Sequence, residues 1–255
     1  MMKTPLPRLR LARLLLLPLL LSALLLAGIA VYFGTPSGET MPEAKAALLS
    51  DAAVTVTQER WILFTPAAGN VASGYILYPG GRVPPEAYAP LAKGLAQAGN
   101  LAVIVPMPLN LAILNTDAAT AVIEAFPQIS AWTIAGHSLG GSMAARYAHQ
   151  NPGKVDGLAM LAAYPESHLD FSLLDLSVAA VYGDRDGLAT VAEIEASFPQ
   201  LPAGARKVLI KGGNHAQFGW YGEQQGDLPA RISRDEQQDL VIDALLSLTR
   251  AKASP

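Results

Sequence analysis

Beyond residue 53 the hydrophobic and polar positions alternate between two periods. Short apolar runs at residues 54–57 and 61–65 predict two antiparallel opening strands, and residues 74–78 form a third apolar run. Over residues 84–99 the period changes. Tyr88, Leu91, Ala92, Leu95 and Ala96 fall on one helical face, and Gly99 stops the helix. The Val/Ile-rich run 101–105 predicts a buried strand, and residues 109–126 a helix ended by Pro127. Residues 132–135, 155–163, 178–182 and 206–210 predict further strands. Residues 142–150, 190–198 and 234–250 predict helices, the last amphipathic. Unbroken apolar strands separated by helices predict an α/β fold: a mostly parallel sheet of about eight strands, covered by helices on both faces.

The pattern is different at the N-terminus. Residues 14–33 are twenty uncharged positions preceded by Lys3, Arg8, Arg10 and Arg13. In a helix twenty residues rise about 30 Å, enough to cross the hydrocarbon core of a membrane. Residues 1–34 are therefore expected to form one N-terminal transmembrane helix. The basic flank would stay in the cytoplasm and the rest of the chain would lie outside, anchored to the cell membrane. Small residues at Gly28 and Ala30 offer an alternative, cleavage near Ala30 and secretion. The apolar run exceeds the roughly 7–15 residues of a signal-peptide core, which favours the uncleaved anchor. Pro36, Ser37, Gly38 and Pro42 mark residues 35–51 as a linker with one short helix near 43–49. Residues 52–255 remain as a single globular domain.

Charge and composition narrow the partners. Four of the 18 basic residues lie in the first 38, leaving 14 against all 21 acidic residues in the rest. Such a domain offers no basic surface for nucleic acid. The chain has no cysteine, which excludes disulfides, thiolate metal sites and a cysteine nucleophile.

The candidate chemistry centres on Gly136-His137-Ser138-Leu139-Gly140. It follows an apolar run and precedes a helical one, the strand–turn–helix context of a nucleophile elbow. A serine on so sharp a turn is strained, and glycines two residues either side remove the clash that side chains would cause. The Leu139 N–H, at the start of the helix, becomes a candidate oxyanion donor.

A serine hydroxyl needs an imidazole to accept its proton. Of four histidines, His137 diverges from its neighbour Ser138 and is expected to pack under the turn. His149 ends the elbow helix and His168 sits in a polar loop. His215 follows the last strand, in Gly212-Gly213-Asn214-His215, on the edge where parallel strands end together. The acid that orients it should follow the preceding strand, where Asp184 and Asp186 compete; spacing does not separate them. A second oxyanion donor should come from Tyr78-Pro79-Gly80-Gly81-Arg82, with the N–H of Gly81 or Arg82 as candidates. Asn110, Trp220 and Tyr221 are candidate substrate-lining residues. The interval 164–177 between strands is fourteen residues, too short for a helical lid.

These segments together resemble the α/β-hydrolase superfamily, and more narrowly its small, lid-poor bacterial branch near dienelactone hydrolase-like proteins. The resemblance covers about residues 53–250. It implies the α/β-hydrolase fold with a minimal cap, and it makes Asp186, the second aspartate of Asp184-Arg185-Asp186-Gly187, the triad acid. Dienelactone hydrolases themselves use a cysteine nucleophile, where this chain has Ser138. The expectation is a serine hydrolase of carboxylic esters or thioesters working through Ser138, Asp186 and His215, without metal or cofactor. Its substrates would be small-molecule or envelope-held acyl compounds. Acyl transfer or peptide hydrolysis on the same triad, and a non-catalytic binding protein, are the alternatives.

Overall fold

In a computed structural model, which describes residues 8–67, 69 and 71–252, the expected strands form one eight-stranded sheet. They are β1 (Val54–Gln58), β2 (Ile62–Pro66), β3 (Ser73–Tyr78), β4 (Leu101–Ile104), β5 (Ala131–His137), β6 (Gly157–Leu161), β7 (Ser177–Gly183) and β8 (Arg206–Ile210). Their order across the sheet is β1-β2-β4-β3-β5-β6-β7-β8. β1 and β2 pair antiparallel, as do β2 and β4. All later pairings are parallel. β4 and β6 are buried at every position, which is why their sequences read as unbroken apolar runs. β8, at the sheet edge, is mostly exposed.

Seven helices accompany the sheet among the described residues: α1 (Arg8–Gly34), α2 (Pro42–Ala47), α3 (Ala89–Gln97), α4 (Ala118–Ala125), α5 (Leu139–Gln150), α6 (Val191–Ala196) and α7 (Arg234–Lys252). Side chains alternate across a strand, so Tyr75 and Tyr78 of β3 mark the two layers. The Tyr75 hydroxyl donates to the Leu245 carbonyl of α7 at 3.0 Å. The Tyr78 hydroxyl donates to the Thr116 carbonyl at 2.8 Å and accepts the Ala119 N–H of α4 at 2.7 Å. Thr120 of α4 and Tyr147 of α5 bond through their hydroxyls at 3.1 Å, so α4 and α5 share the second face.

Two expected elements differ. Residues 109–126 are not one helix but two single 3₁₀ turns, Pro108–Asn110 and Ala112–Leu114, followed by α4. Leu109 and Asn110 take φ of 51° and 55°, and the Asn110 carbonyl accepts the Arg82 N–H at 2.8 Å. A left-handed backbone with its carbonyl committed elsewhere cannot carry an α-helix. The strand expected over 155–163 is shortened to β6, because Ala162 turns out of it at φ 47° and its N–H bonds the Val181 carbonyl.

The segment read as a linker lies against the domain. Ala44 of α2 is fully buried, and the Met41 N–H bonds the Trp220 carbonyl at 2.9 Å. Between β6 and β7 the chain forms turns and no helix, so no lid covers the sheet edge there. Residues 1–7, with Lys3 of the expected basic flank, fall outside the described residues. Among the described residues no helix is long and apolar enough to cross a membrane. Side chains of α1 are described only from Pro18 onward, so residues 14–17 of the span expected over 14–33 lie outside the residues to which that statement applies.

Tyr78→Phe tests the packing of this second face. It leaves the buried Ala119 N–H and the half-buried Thr116 carbonyl short of a hydrogen bond, and we expect it to lower the unfolding free energy by about 1–3 kcal/mol in urea titration. A loss below about 0.3 kcal/mol would show that the hydroxyl does not hold α4 to the sheet.

Candidate active site

β5 ends in a turn at Ser138 with φ 52° and ψ −123°, a region that L-residues rarely occupy. The Ser138 N–H bonds the Leu161 carbonyl of β6 at 2.9 Å, and its own carbonyl accepts the Gly141 and Ser142 N–H groups that start α5. A Cβ on Gly136 would strike the Gly140 backbone, and one on Gly140 would strike the Tyr78 and Pro79 carbonyls. The glycines are therefore required by the approach of α5 to the ends of β3 and β5. Backbone strain of this kind costs on the order of 1–3 kcal/mol and persists only where the surroundings over-determine it.

The loop after β7 and the loop after β8 meet at this edge. His215 Nδ1 lies 2.8 Å from Asp186 Oδ2, with both side chains almost wholly buried. Asp186 Oδ1 accepts the N–H groups of Leu188 and Ala189 at 2.8 and 2.7 Å. With Nδ1 donating to the carboxylate, Nε2 is left as the acceptor. Asp184 does something else: its Oδ1 accepts the Gly212 N–H at 2.7 Å and ties the two loops together. Ser138 and His215 both line a cavity of about 260 Å³, with Leu139, Ala163, Tyr164 and Leu188 among the other walls. The Ser138 hydroxyl makes no hydrogen bond among the described residues; such contacts often tighten only when substrate is bound. A larger polar cavity of about 320 Å³, lined by Asn214 and Asp227 among others, opens beside the His215 loop and does not include Ser138.

Of the oxyanion candidates, Leu139 and Gly81 have main-chain N–H groups that meet no hydrogen-bond acceptor among the described residues. A Cβ on Gly81 would sit 3.2 Å from Leu139 Cδ2, so the two residues adjoin. The N–H of Arg82, the other candidate, bonds the Asn110 carbonyl at 2.8 Å.

The substrate-lining expectations are corrected. Trp220 and Tyr221 are buried, and neither they nor Asn110 line the Ser138 cavity. The chain turns at Ala216–Phe218 and folds both rings inward, with Tyr221 6.3 Å from the His137 ring. The Asn110 side chain donates to the Gly34 carbonyl at 3.0 Å. His168 is exposed in the turn between β6 and β7, and His149 packs edge-on to Phe171.

His137 is packed under the turn. The Tyr88 hydroxyl accepts the Gly80 N–H at 2.9 Å and sits 2.8 Å from His137 Nδ1. The Tyr88 hydroxyl thus bridges the Gly80 N–H and the His137 ring. Phe218 stacks on the ring, and the His215 ring lies 4.6 Å away. Burial first, then the neighbouring His215, holds the His137 pKa well below its ordinary 6.5. Tyr88 links this neutral ring to the Gly80–Gly81 turn, and burial pushes the Tyr88 pKa up.

Other residues gave no sequence signal of their role. Asp227 Oδ2 accepts the Ala216 N–H at 2.8 Å and Oδ1 the Gly187 N–H at 3.1 Å, joining the His215 and Asp186 loops. Arg234 donates to the carbonyls of Ala216, Gly219 and Gly222 and clamps the same loop from α7. Both act through contacts distant in sequence, so only general polarity was visible beforehand.

A mostly parallel eight-stranded sheet, with a serine turn after its fifth strand and an Asp–His pair delivered after the last two, defines a hydrolase built on the α/β plan. The family profile described as "Alpha/beta hydrolase family" matches residues 74–239, from β3 into α7, and the chain belongs to that family. Among solved structures it is similar to one described as a predicted CIB-like hydrolase from Thermoplasma acidophilum. The two share 16% identity with a TM-score of 0.59, over 75% of this chain and 98% of the other. At that identity the likeness concerns the fold alone. No curated protein matches the chain.

The state of His137 predicts a pH effect. The ring stays neutral when folded and takes up a proton below pH 6.5 when unfolded, so the unfolded state binds more protons there. The stability contribution is full above pH 6.5 and is lost progressively as pH falls below it. Stability measured against pH should fall less steeply in His137→Gln, by up to about 1.4 kcal/mol per pH unit. Equal slopes in the two proteins would contradict a neutral buried ring.

Proposed function

We propose that this chain is a serine hydrolase of carboxylic esters or thioesters, held at the cell membrane by α1 with its catalytic domain on the extracytoplasmic side. One observation carries the catalytic reading: Ser138, on a strained turn, shares a cavity with His215, whose Nδ1 is bonded to Asp186. Ser138 Oγ attacks the acyl carbon while His215 Nε2 takes its proton. The carbonyl electron pair moves onto oxygen, where the Leu139 and Gly81 N–H groups stabilise it. The C–O or C–S bond then breaks, and His215 returns the proton to the departing alcohol or thiol. Water repeats the sequence on the acyl-serine, releases the acid and restores the hydroxyl. Asp186 keeps the imidazole in the tautomer that presents Nε2 and balances its positive charge during each transfer.

The anchor rests on the twenty uncharged residues of 14–33 and the basic residues before them. Tyr32 and Phe33 at its end suit the membrane interface, where aromatic rings are enriched. The short interval between β6 and β7 leaves the cavity uncovered, which suits small or surface-held acyl groups such as esters and thioesters.

p-Nitrophenyl butyrate turnover by the full chain in mild detergent tests the reading. Ser138→Ala should lose at least about 10³-fold in kcat, and Asp186→Asn about 10⁴-fold with KM nearly unchanged. Turnover in Ser138→Ala equal to wild type would remove the serine from the chemistry.

A further inference from the structure

The end of the apolar helix does not hang free of the catalytic domain. A Cβ on Gly34 would lie 3.5 Å from Leu109 Cδ2, and the Gly34 carbonyl accepts from the Asn110 side chain at 3.0 Å. The Arg82 guanidinium stacks over the Tyr32 ring at 4.1 Å, and its Nε donates to the Thr35 carbonyl at 3.3 Å. The Ser37 N–H donates to the Arg82 carbonyl at 2.7 Å. The helix exit is therefore fastened to the loop that carries Gly81, and Gly81 adjoins Leu139 beside the reactive serine.

That attachment sets where a membrane would lie. A helix ending in Tyr32 and Phe33 puts its last turn at the headgroup level, with aromatic rings and an arginine where such residues are stable. The first of the two 3₁₀ turns that replaced the expected helix packs against this end of α1, and the second follows it directly along the chain. They present Leu109, Ile113 and Leu114 at 40%, 49% and 53% exposure. Three large aliphatic side chains within six residues, beside the end of an apolar helix, keep much of their surface in water. Burial in the acyl boundary would remove them from water.

We infer that Leu109, Ile113 and Leu114 dip into the same bilayer that α1 crosses, so that the Ser138 cavity opens at the membrane surface and takes acyl esters from the lipid phase. This rests on the anchor and the serine-hydrolase readings and adds the source and class of substrate. The chain of contacts is short: Gly34 to Asn110, Asn110 to Arg82, then Gly81, Leu139 and Ser138. A long acyl ester leaving the bilayer beside Leu109 would meet the oxyanion loop first. The commitment of Asn110 to the helix exit explains why it lines no wall of the cavity. It also explains why these turns are not helical, since a left-handed Leu109 and Asn110 are what fold the segment against both Gly34 and Arg82.

The absence of cysteine makes the test clean. Full-length Leu114→Cys, Leu24→Cys and Leu173→Cys, each labelled with a nitrobenzoxadiazole dye, would be reconstituted into phosphatidylethanolamine–phosphatidylglycerol vesicles containing a lipid nitroxide in the acyl chain. Leu173 is 95% exposed in the loop between β6 and β7 and serves as the aqueous control. The expected result is strong quenching at positions 24 and 114 and none at 173. Quenching at 24 with position 114 behaving like 173 overturns the proposal while leaving the anchor intact. No quenching at 24 removes the anchor reading and the proposal with it.

A second arm uses Ile113→Asn/Leu114→Asn, which alters exposed positions only. Turnover of p-nitrophenyl palmitate dissolved in the vesicles should fall about tenfold or more, with turnover of p-nitrophenyl acetate in water unchanged. An equal fall for both esters would mean that the turns shape the site rather than dock it, and would overturn the proposal. Acetate turnover that survives Ser138→Ala would instead bring down the hydrolase reading, a result separable from the vesicle data.

Discussion

The turn at Ser138 is the constraint on which the rest of the arrangement depends. Its backbone stands at φ 52° and ψ −123°, and nothing local to the residue stabilises that geometry. It is held from three sides: β6 receives its N–H, α5 begins from its carbonyl, and β3 closes against Gly140 with main-chain atoms. The strain is affordable only because these elements are fully packed, with β6 buried along its length and α5 buried at Gly140, Gly141, Met143, Ala144 and Ala145. Parallel pairing then brings the ends of β3, β7 and β8 to the same edge, so that Gly81, Asp186 and His215 can converge on the serine from different parts of the chain.

Convergence requires that irregular loops be held as firmly as strands. Polar groups do this here. Asp184 fixes Gly212, Asp227 bridges Gly187 and Ala216, and Gln237 of α7 both donates to and accepts from the Asn214 main chain. Arg234 completes the frame beneath the His215 loop. On the other side Tyr88 and His137 brace the Gly80–Gly81 turn. A satisfied buried network of this kind keeps a site in one geometry, and a gap in it would be costly because burial raises the penalty for each unpaired group.

What was legible in the sequence follows from these physics. β4 and β6 could be read because strands buried on both faces have no polar positions to interrupt them. Ser138 and His215 could be placed because glycines mark a backbone that must turn sharply at a strand end. The choice between Asp184 and Asp186 was not legible from spacing, since two residues in one tight loop differ only in direction; one faces Gly212 and the other His215. Arg82 looked equivalent to Gly81 until the Asn110 carbonyl, far along the chain, was seen to occupy its N–H. Residues 109–126 carried a helical apolar pattern, yet tertiary bonds to Arg82 and Gly34 hold their first part in left-handed turns. The hydroxyl of Tyr88 was invisible behind its place on an apolar helix face.

The central claim is that Ser138 is a nucleophile activated by His215. Intact-mass analysis of the folded full chain after exposure to a fluorophosphonate tests it most directly. The account predicts one covalent adduct, mapped by peptide sequencing to Ser138 and absent from both Ser138→Ala and His215→Ala. Folded wild-type protein that gains no adduct, or gains one at another residue, would contradict it.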